Sequence, residues 1–302
     1  MKLFSALAQR LSGQAYLLLV LTTLMWGANA VAGRIAVGEI SPMVIVSGRW
    51  IIVVALLWLI AHRQLRAEWR LLGPYWPRLI VLGAFGFTVF NALFYAAAYH
   101  TTAVNIGLIQ GIVPALAMVG SLIVYGTPIR PLQAAGLVIA LVGVVLVASR
   151  GDLAVLRTLD FNIGDIWMLV ASAIYAAYTV GVRQRPPVSP ITFFAAMAMS
   201  AFVSSLPFLG YEIVTGTVRW PTPTGLATLV YIALAPSLVA QMLYIHVIQL
   251  IGPGRASLFV NLVPVFAALL GVLILGEPFG AYHAIALALV LGGIWIAERG
   301  RA

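Results

Sequence analysis

The sequence predicts an all-α integral membrane protein with ten transmembrane helices, arranged as two inverted five-helix repeats. Three observations carry that expectation. Hydrophobic residues fill 63% of the 302 positions and charged residues 8%, with mean hydropathy +1.06, whereas a soluble domain is about half apolar and a quarter charged. Apolar runs of about 20 residues, the length that crosses a bilayer core, recur along the whole chain. The segment "GIVPALAMVGSLIVYGTP" at 111–128 returns as "NLVPVFAALLGVLILGEP" at 261–278.

Reading the apolar runs between helix breakers places spans at 15–37, 42–61, 77–99, 103–125, 131–149, 164–183, 190–214, 224–249, 255–275 and 280–297. The first run has no small-residue cleavage site and is followed by more of its kind, so it reads as a retained span and not a signal peptide. The longest polar connections are 62–76 and 150–165, too short for a soluble domain. With a cytoplasmic N-terminus, Lys2, Arg10, Arg63, Arg66, Arg70, Arg78, Arg130, Arg183, Arg185, Arg255, Arg299 and Arg301 share that side. The other side receives Arg34, Arg150, Arg157 and Arg219, and Arg49 stays inside the second span. This positive-inside bias predicts a multi-pass protein of the cell inner (plasma) membrane with both termini cytoplasmic. The net charge of +9 then reads as topology signal and not as a nucleic-acid surface. With no cysteine, disulfides, thiol chemistry and Cys-based metal sites are excluded.

Sliding the sequence on itself by 150 aligns Pro114 with Pro264, Gly126 with Gly276, Pro128 with Pro278, Leu137 with Leu287 and Gly143 with Gly293; roughly ten of fifty positions from Tyr99 to Ala148 are identical at that offset. The repeats are 1–150 and 151–302. Five spans is an odd number, so the second copy enters the membrane from the opposite side. Gly126-Thr127-Pro128 then falls on the cytoplasmic side and Gly276-Glu277-Pro278 outside. Equivalent positions meet different surfaces, and Glu277 reads as a helix-end residue and not a substrate ligand.

With "LMWGANAVAGRIAV" at Leu24 to Val37, "SGRW" at Ser47 to Trp50, the two proline-containing helices and Gly292-Gly293 in the last span, the chain resembles the drug/metabolite transporter superfamily. Within it, the likeness is to the ten-helix exporters of paired EamA-type domains, which include amino-acid exporters. It covers Tyr16 to Ala297. Thr127 departs from the glutamate often found there, so no function needing an acid in both copies is carried over. The resemblance implies alternating access, with two bundles rocking around a central cavity lined by helices 1, 3, 4, 6, 8 and 9.

Polar groups at mid-membrane are costly and mark functional sites by default. Span 1 offers Trp26 and Asn29 on one face; the asparagine either lines a cavity or bonds a neighbouring helix. Asn91, Tyr95 and Tyr99 form a stripe in span 3. Span 4 offers Gln110, with Gly107 and Gly111 spaced for close helix approach. Pro114 and Pro264 each free the carbonyl four residues earlier, Gln110 and Val260, at a kink or hinge. The second repeat offers Trp167, Tyr175 and Tyr178 in span 6, Gln241 and Tyr244 in span 8, and Ser257 and Asn261 in span 9. Rings stack on rings, while amides bind both amine and carboxylate, so amino acids, aromatic or otherwise apolar, are the first substrate class expected.

Phosphorylated substrates call for deep Lys or Arg pairs, and Arg49 is the sole clearly intramembrane cation; near a helix start, it is expected to snorkel. Leu17 to Val31 contains no acid for a small-multidrug type of antiport, and no Asp or Glu falls mid-span, which favours facilitated efflux, or coupling through a histidine or another site, over a carboxylate-driven cycle; a proton-coupled drug or metabolite efflux carrier is the alternative. A lipid-modifying membrane enzyme is the distant alternative; it needs a nucleophile-base pair or metal constellation, and the four histidines form no such spacing. The expectation is a transporter and not an enzyme, with no cofactor and no metal. Its partners are a small-molecule substrate and the lipid bilayer, without nucleic acid, and it works as a monomer.

Overall fold

The computed structural model describes residues 14–149, 151–152, 162–182, 184–251 and 259–299. Ser257 and the cations Lys2, Arg10, Arg150, Arg157, Arg183, Arg255 and Arg301 lie outside the described residues. Every regular element among those described is helical. Six stretches are long and apolar enough to cross a membrane: Ala15–Ile35, Pro42–Ala97, Ala103–Tyr125, Ile163–Val182, Pro190–Val214 and Pro223–Ile248. The apolar helices Pro131–Val147, Val263–Leu275 and Ala281–Ala297 are shorter.

Helix α1 is Ala15–Ile35 and α2 is Pro42–Glu68, seven residues beyond the expected end of that span, with non-helical φ −128° and ψ 15° at Ala61. A 3-10 segment, Trp69–Tyr75, leads to α3 (Trp76–Gly83), a π turn (Ala84–Val89) and α4 (Phe90–Ala97). The 42–97 stretch doubles back on itself: Trp50 stacks on Phe87 at 4.7 Å and Trp69 meets Trp76 edge-on. A straight helix of that length would span about 84 Å at 1.5 Å per residue, far more than a bilayer of about 30 Å.

The expected single span at 103–125 is two helices, α5 (Ala103–Gln110) and α6 (Val113–Tyr125). Pro114 lacks the N–H that would bond Gln110 O, and Gly111 and Ile112 turn back onto Leu108 O and Ile109 O. The rod is therefore interrupted and not merely kinked. The same turn occurs at 261–262, ahead of α12 (Val263–Leu275). In between lie α7 (Pro131–Ala148), α8 (Ile163–Val182), α9 (Pro190–Val214), and α10 (Pro223–Ile232), a second π turn (Ala233–Val239) and α11 (Ala240–Ile251); α13 (Ala281–Arg299) closes the chain.

The two halves therefore carry matching irregularities: a π turn in the third rod of each, a proline-led break in the fourth, and a left-handed cap beyond it. Gly126 and Gly276 hold φ 64° and 63°, a conformation that glycine adopts without steric cost. Between the halves, α7 and α13 run along each other at glycine contacts; a Cβ on Gly293 would lie 2.5 Å from Gly136 O and 2.6 Å from Ala140 N. Gly107 packs so closely on Ala267 that no side chain fits between them, and a Cβ on Gly111 would lie 2.6 Å from Val290. Ile123, Leu273 and Val214 are 76%, 70% and 88% exposed, apolar surface suited to lipid.

One end of the bundle, where α1 turns into α2, is closed by polar bonds. Glu277, just past α12, accepts from the N–H groups of Ala103 at 2.9 Å and Val104 at 3.0 Å and pairs with Arg34 Nε at 3.6 Å. Arg34 also donates to Ala98 O. Thr101 donates to Asp165 at 2.5 Å, and Asn105 joins Asp165 to His283. Glu277 is thus a helix-end residue: it caps the start of α5 from the end of α12. Asp165 and Glu277 are both buried, but at this end and not at mid-bundle.

Candidate functional site

A cavity of about 140 Å³ lies between the two halves, close to the ~150 Å³ that holds a benzene in an apolar interior. Its wall collects matched positions from both repeats: Gly86 with Pro236, Phe87 with Ser237, Asn91 with Gln241, Gln110 with Val260, Gly111 with Asn261, Val113 with Val263, and Pro114 with Pro264. All seven pairs stand at the 150-residue offset, so the cavity sits where the repeats are related. The π turns, the first turns of α4 and α11 that follow them, and the helix breaks with the starts of α6 and α12 supply these positions. Each irregularity releases backbone from its ladder, and irregular backbone at membrane depth is tolerated where it lines a cavity.

Of the residues singled out above, Trp26, Asn29, Asn91, Gln110, Tyr175, Gln241 and Asn261 line this cavity. Trp26 donates to Pro236 O at 3.0 Å and meets Tyr244 edge-on at 5.2 Å, so Tyr244 backs the wall without being part of it. Tyr178 packs against Gly86, Phe87 and Tyr175 behind it. Tyr95 is fully enclosed and donates to Asn29 at 3.0 Å. Tyr99 and Trp167 do not reach the cavity. Tyr99 donates to Ile40 O, and Trp167 meets His100 at 5.1 Å, both at the closed end. Each shares a helical face with a lining residue, Asn91 or Tyr175, but stands eight residues from it, about 12 Å along the axis.

The residue that the sequence reading placed wrongly is Arg49. It does not snorkel: it is 5% exposed, with its head in the cavity wall. Its Nε donates to Ser237 at 2.9 Å, Nη2 to the same hydroxyl at 2.6 Å, and Nη1 to Asn91 at 2.5 Å and Tyr95 at 2.8 Å. Its Cζ sits 5.0 Å from the Trp50 ring centre. The wall contains no Asp or Glu among the described residues. Trp50, Phe87, Phe90, Phe194 and Ser237 also line the cavity. The run Ser47-Gly48-Arg49-Trp50 contained the signal for Arg49 and Trp50, a cation directly followed by an aromatic ring inside an apolar stretch.

Two rods diverge at this level. Helix α5 packs on α12, α8 and α1, whereas α6, its continuation past the break, keeps its packing on α8 and parts from α12 and α1. The cavity begins where that separation starts.

The EamA-like transporter family model matches the chain twice, over 13–149 and 162–298. The chain belongs to the EamA-like transporter family. This EamA-like protein is 27% identical over 289 residues to the uncharacterized transporter YyaM of Bacillus subtilis (strain 168), covering 94% of this chain and 93% of that one. It is 24% identical over 288 residues to the uncharacterized inner membrane transporter YedA of Escherichia coli (strain K12), covering 92% and 88%. A crystal structure of a protein 21% identical in sequence superposes with a TM-score of 0.63, covering 94% of this chain and 96% of that one, and has the same fold. The two family matches coincide with the two halves whose irregularities correspond. The protein is a multi-pass membrane transporter built from two EamA repeats.

Proposed function

We propose that this EamA-like transporter exports small organic solutes, first of all amino acids with aromatic or other apolar side chains, by alternating access around the cavity between its halves. The observation that carries this reading is the composition of a cavity built from matched positions of both repeats: Trp26, Phe87, Phe90 and Tyr175 offer ring faces, and Asn91, Gln110, Gln241 and Asn261 offer amides. Rings bind apolar side chains, amides bind amine and carboxylate, and the carbonyls freed ahead of Pro114 and Pro264 add acceptors for an ammonium.

Domains 1–150 and 151–302 act as inverted five-helix repeats, and the chain crosses the membrane ten times. Support comes from the doubled-back stretch 42–97 and from the capping of the start of α5 by Glu277, just past α12, the counterpart of α6. Under the positive-inside assignment the α1–α2 end faces outward and both termini face the cytoplasm of an inner membrane. The bonded outer end and the parting of α6 from α12 past the break fit an inward-facing state. The transporter works as a monomer.

Counterflow of labelled Phe, Trp, Met, Thr and Lys in liposomes containing the purified protein tests the reading. Saturable exchange of the apolar members is expected at matched pH; absence of exchange for every one of them would refute the substrate class. The chain from Asp165 through Asn105 to His283 supports a second reading, proton-coupled efflux of a drug or metabolite, which predicts uptake only under a pH gradient.

A further inference from the structure

We propose that Arg49 and Trp50 form a carboxylate-binding subsite in the cavity wall, and that the cargo therefore carries an anionic carboxylate beside a compact ring or apolar chain. The proposal rests on the cavity being the transport site, but not on the cargo being an amino acid.

Arg49 is buried at the cavity and cannot discard its charge, since the guanidinium stays protonated. Its described hydrogen-bond acceptors, Ser237, Asn91 and Tyr95, are all neutral, and no carboxylate among the described residues lies within 4.0 Å of it. They satisfy N–H groups without cancelling the charge. A buried cation without a counter-ion is costly, and an incoming carboxylate would supply the missing charge. Trp50 provides the second observation: it is 3% exposed, lines the same cavity, and its indole N–H has no acceptor. Indole nitrogen is a donor only, so an unpaired N–H on the ring that the Arg49 guanidinium overlies asks for an acceptor oxygen. Trp50 is held rigidly by stacking on Phe87 at 4.7 Å with 5° between the planes.

The surroundings set the rest of the cargo. A free space of about 140 Å³ flanked by Phe87, Phe90 and Tyr175 suits one six-membered ring. Cationic amines that lack a carboxylate meet the field of Arg49 with nothing to offset it, so they are rejected. This discrimination also separates the subsite from a purely architectural role, in which Arg49 only ties α2 to α4 and the second π turn.

The test uses the full-length protein in nanodiscs and three ligands of one shape: benzoate, benzamide and benzylamine. Binding is read by quenching of intrinsic tryptophan fluorescence and, independently, by calorimetry. Wild type is expected to bind benzoate about ten-fold or more tightly than benzamide, the scale of one hydrogen bond to a charged group, and benzylamine more weakly still. Arg49→Gln should erase the benzoate preference, Arg49→Lys should restore part of it, and Trp50→Phe should weaken it. Equal wild-type affinity for benzoate and benzamide, including none for either, would overturn the proposal, as would an undiminished preference in Arg49→Gln. Should Arg49→Gln fail to fold, the wild-type comparison and Trp50→Phe still decide. Benzoate selectivity without phenylalanine exchange would leave the subsite standing and remove the amino-acid reading. Phenylalanine exchange matched by phenylethylamine and indifferent to Arg49→Gln would do the reverse.

Discussion

Replacing Glu277 with Gln should open the α1–α2 end of the transporter, the outer end in the proposed topology. The carboxylate accepts from Ala103 N–H at 2.9 Å and Val104 N–H at 3.0 Å and stands 3.6 Å from Arg34 Nε. A glutamine offers one acceptor oxygen where the carboxylate offered two, so one N–H at the start of α5 loses its partner and the pairing with Arg34 is lost. A helix cap contributes about 0.5–2 kcal/mol and a partly exposed ion pair at most about 1 kcal/mol. The closed arrangement should lose about 1–2 kcal/mol. Once the end opens, water solvates both N–H groups and the side chain, so the cost falls on the closed state alone. A shift of that size changes a two-state ratio about 5- to 30-fold. The protein has no cysteine, so Asn261→Cys in the cavity can be labelled without background, using an impermeant maleimide on right-side-out and inside-out vesicles. Glu277→Gln should raise the outside-to-inside labelling ratio by that factor. An unchanged or lower ratio, with folding intact by size exclusion, would show that the Glu277 contacts do not hold the end closed.

Three further outcomes are expected. Gly293→Ala places a Cβ 2.5–2.6 Å from backbone atoms of Gly136 and Ala140; overpacking costs about 1–3 kcal/mol, and Tm in detergent should fall by about 2–4 °C per kcal/mol lost, whereas Gly292→Ala, which meets nothing within 4 Å, should leave it in place. Tyr175→Ala should lower counterflow while protein yield holds, and Tyr99→Ala, outside the cavity, should leave KM within two-fold; a larger KM effect at Tyr99 would move the site toward the closed end. Pro114→Ala and Pro264→Ala restore an N–H to breaks in opposite halves, so in the same labelling assay they should shift the ratio in opposite directions; shifts of one sign would count against inverted repeats.

The apolar runs made the membrane class and the rod positions legible because each rod must satisfy its own backbone in lipid. The repeat was legible through Pro114, Pro264, Gly126 and Gly276, whose backbone requirements fix their types. Depth was not. Helical spacing assigns Tyr99 to the face of Asn91 and Trp167 to that of Tyr175, but it does not say how far along the axis a cavity extends. The π turns were hidden as well, since one extra residue per turn leaves no mark in an apolar run. Arg49 was misread for a related reason. A lone arginine near a helix start is normally free to reach headgroups, and what keeps this one inside are Asn91 and Ser237, which lie 42 and 188 positions away.

The asymmetry between the repeats carries the functional consequence. Counting from the Ser-Pro that opens α2 and α9, Arg49 falls on Met197, so the cation is written once while the amides Asn91 and Gln241 are written in both copies. A cavity with the same donors from both halves would accept a zwitterion in either orientation. On the proposed subsite, a single cation on the α2 side breaks that degeneracy: it would pin the cargo's carboxylate to one half and leave an amine, where the cargo has one, for the amides and freed carbonyls. Because α2 packs on α9 while the cavity also takes in Asn261 and Pro264 at the start of α12, the proposed rocking of one bundle against the other would change which groups reach the amine without moving the carboxylate anchor. Transferring the cation, by Arg49→Met with Met197→Arg, should therefore not restore binding of benzoate. Met197 is fully buried outside the cavity lining, and a charge there has neither Trp50 nor the Ser237 hydroxyl beside it. Recovery of selectivity in that double variant would mean that the two halves are functionally interchangeable, and that the polarity of the cavity comes from some other group.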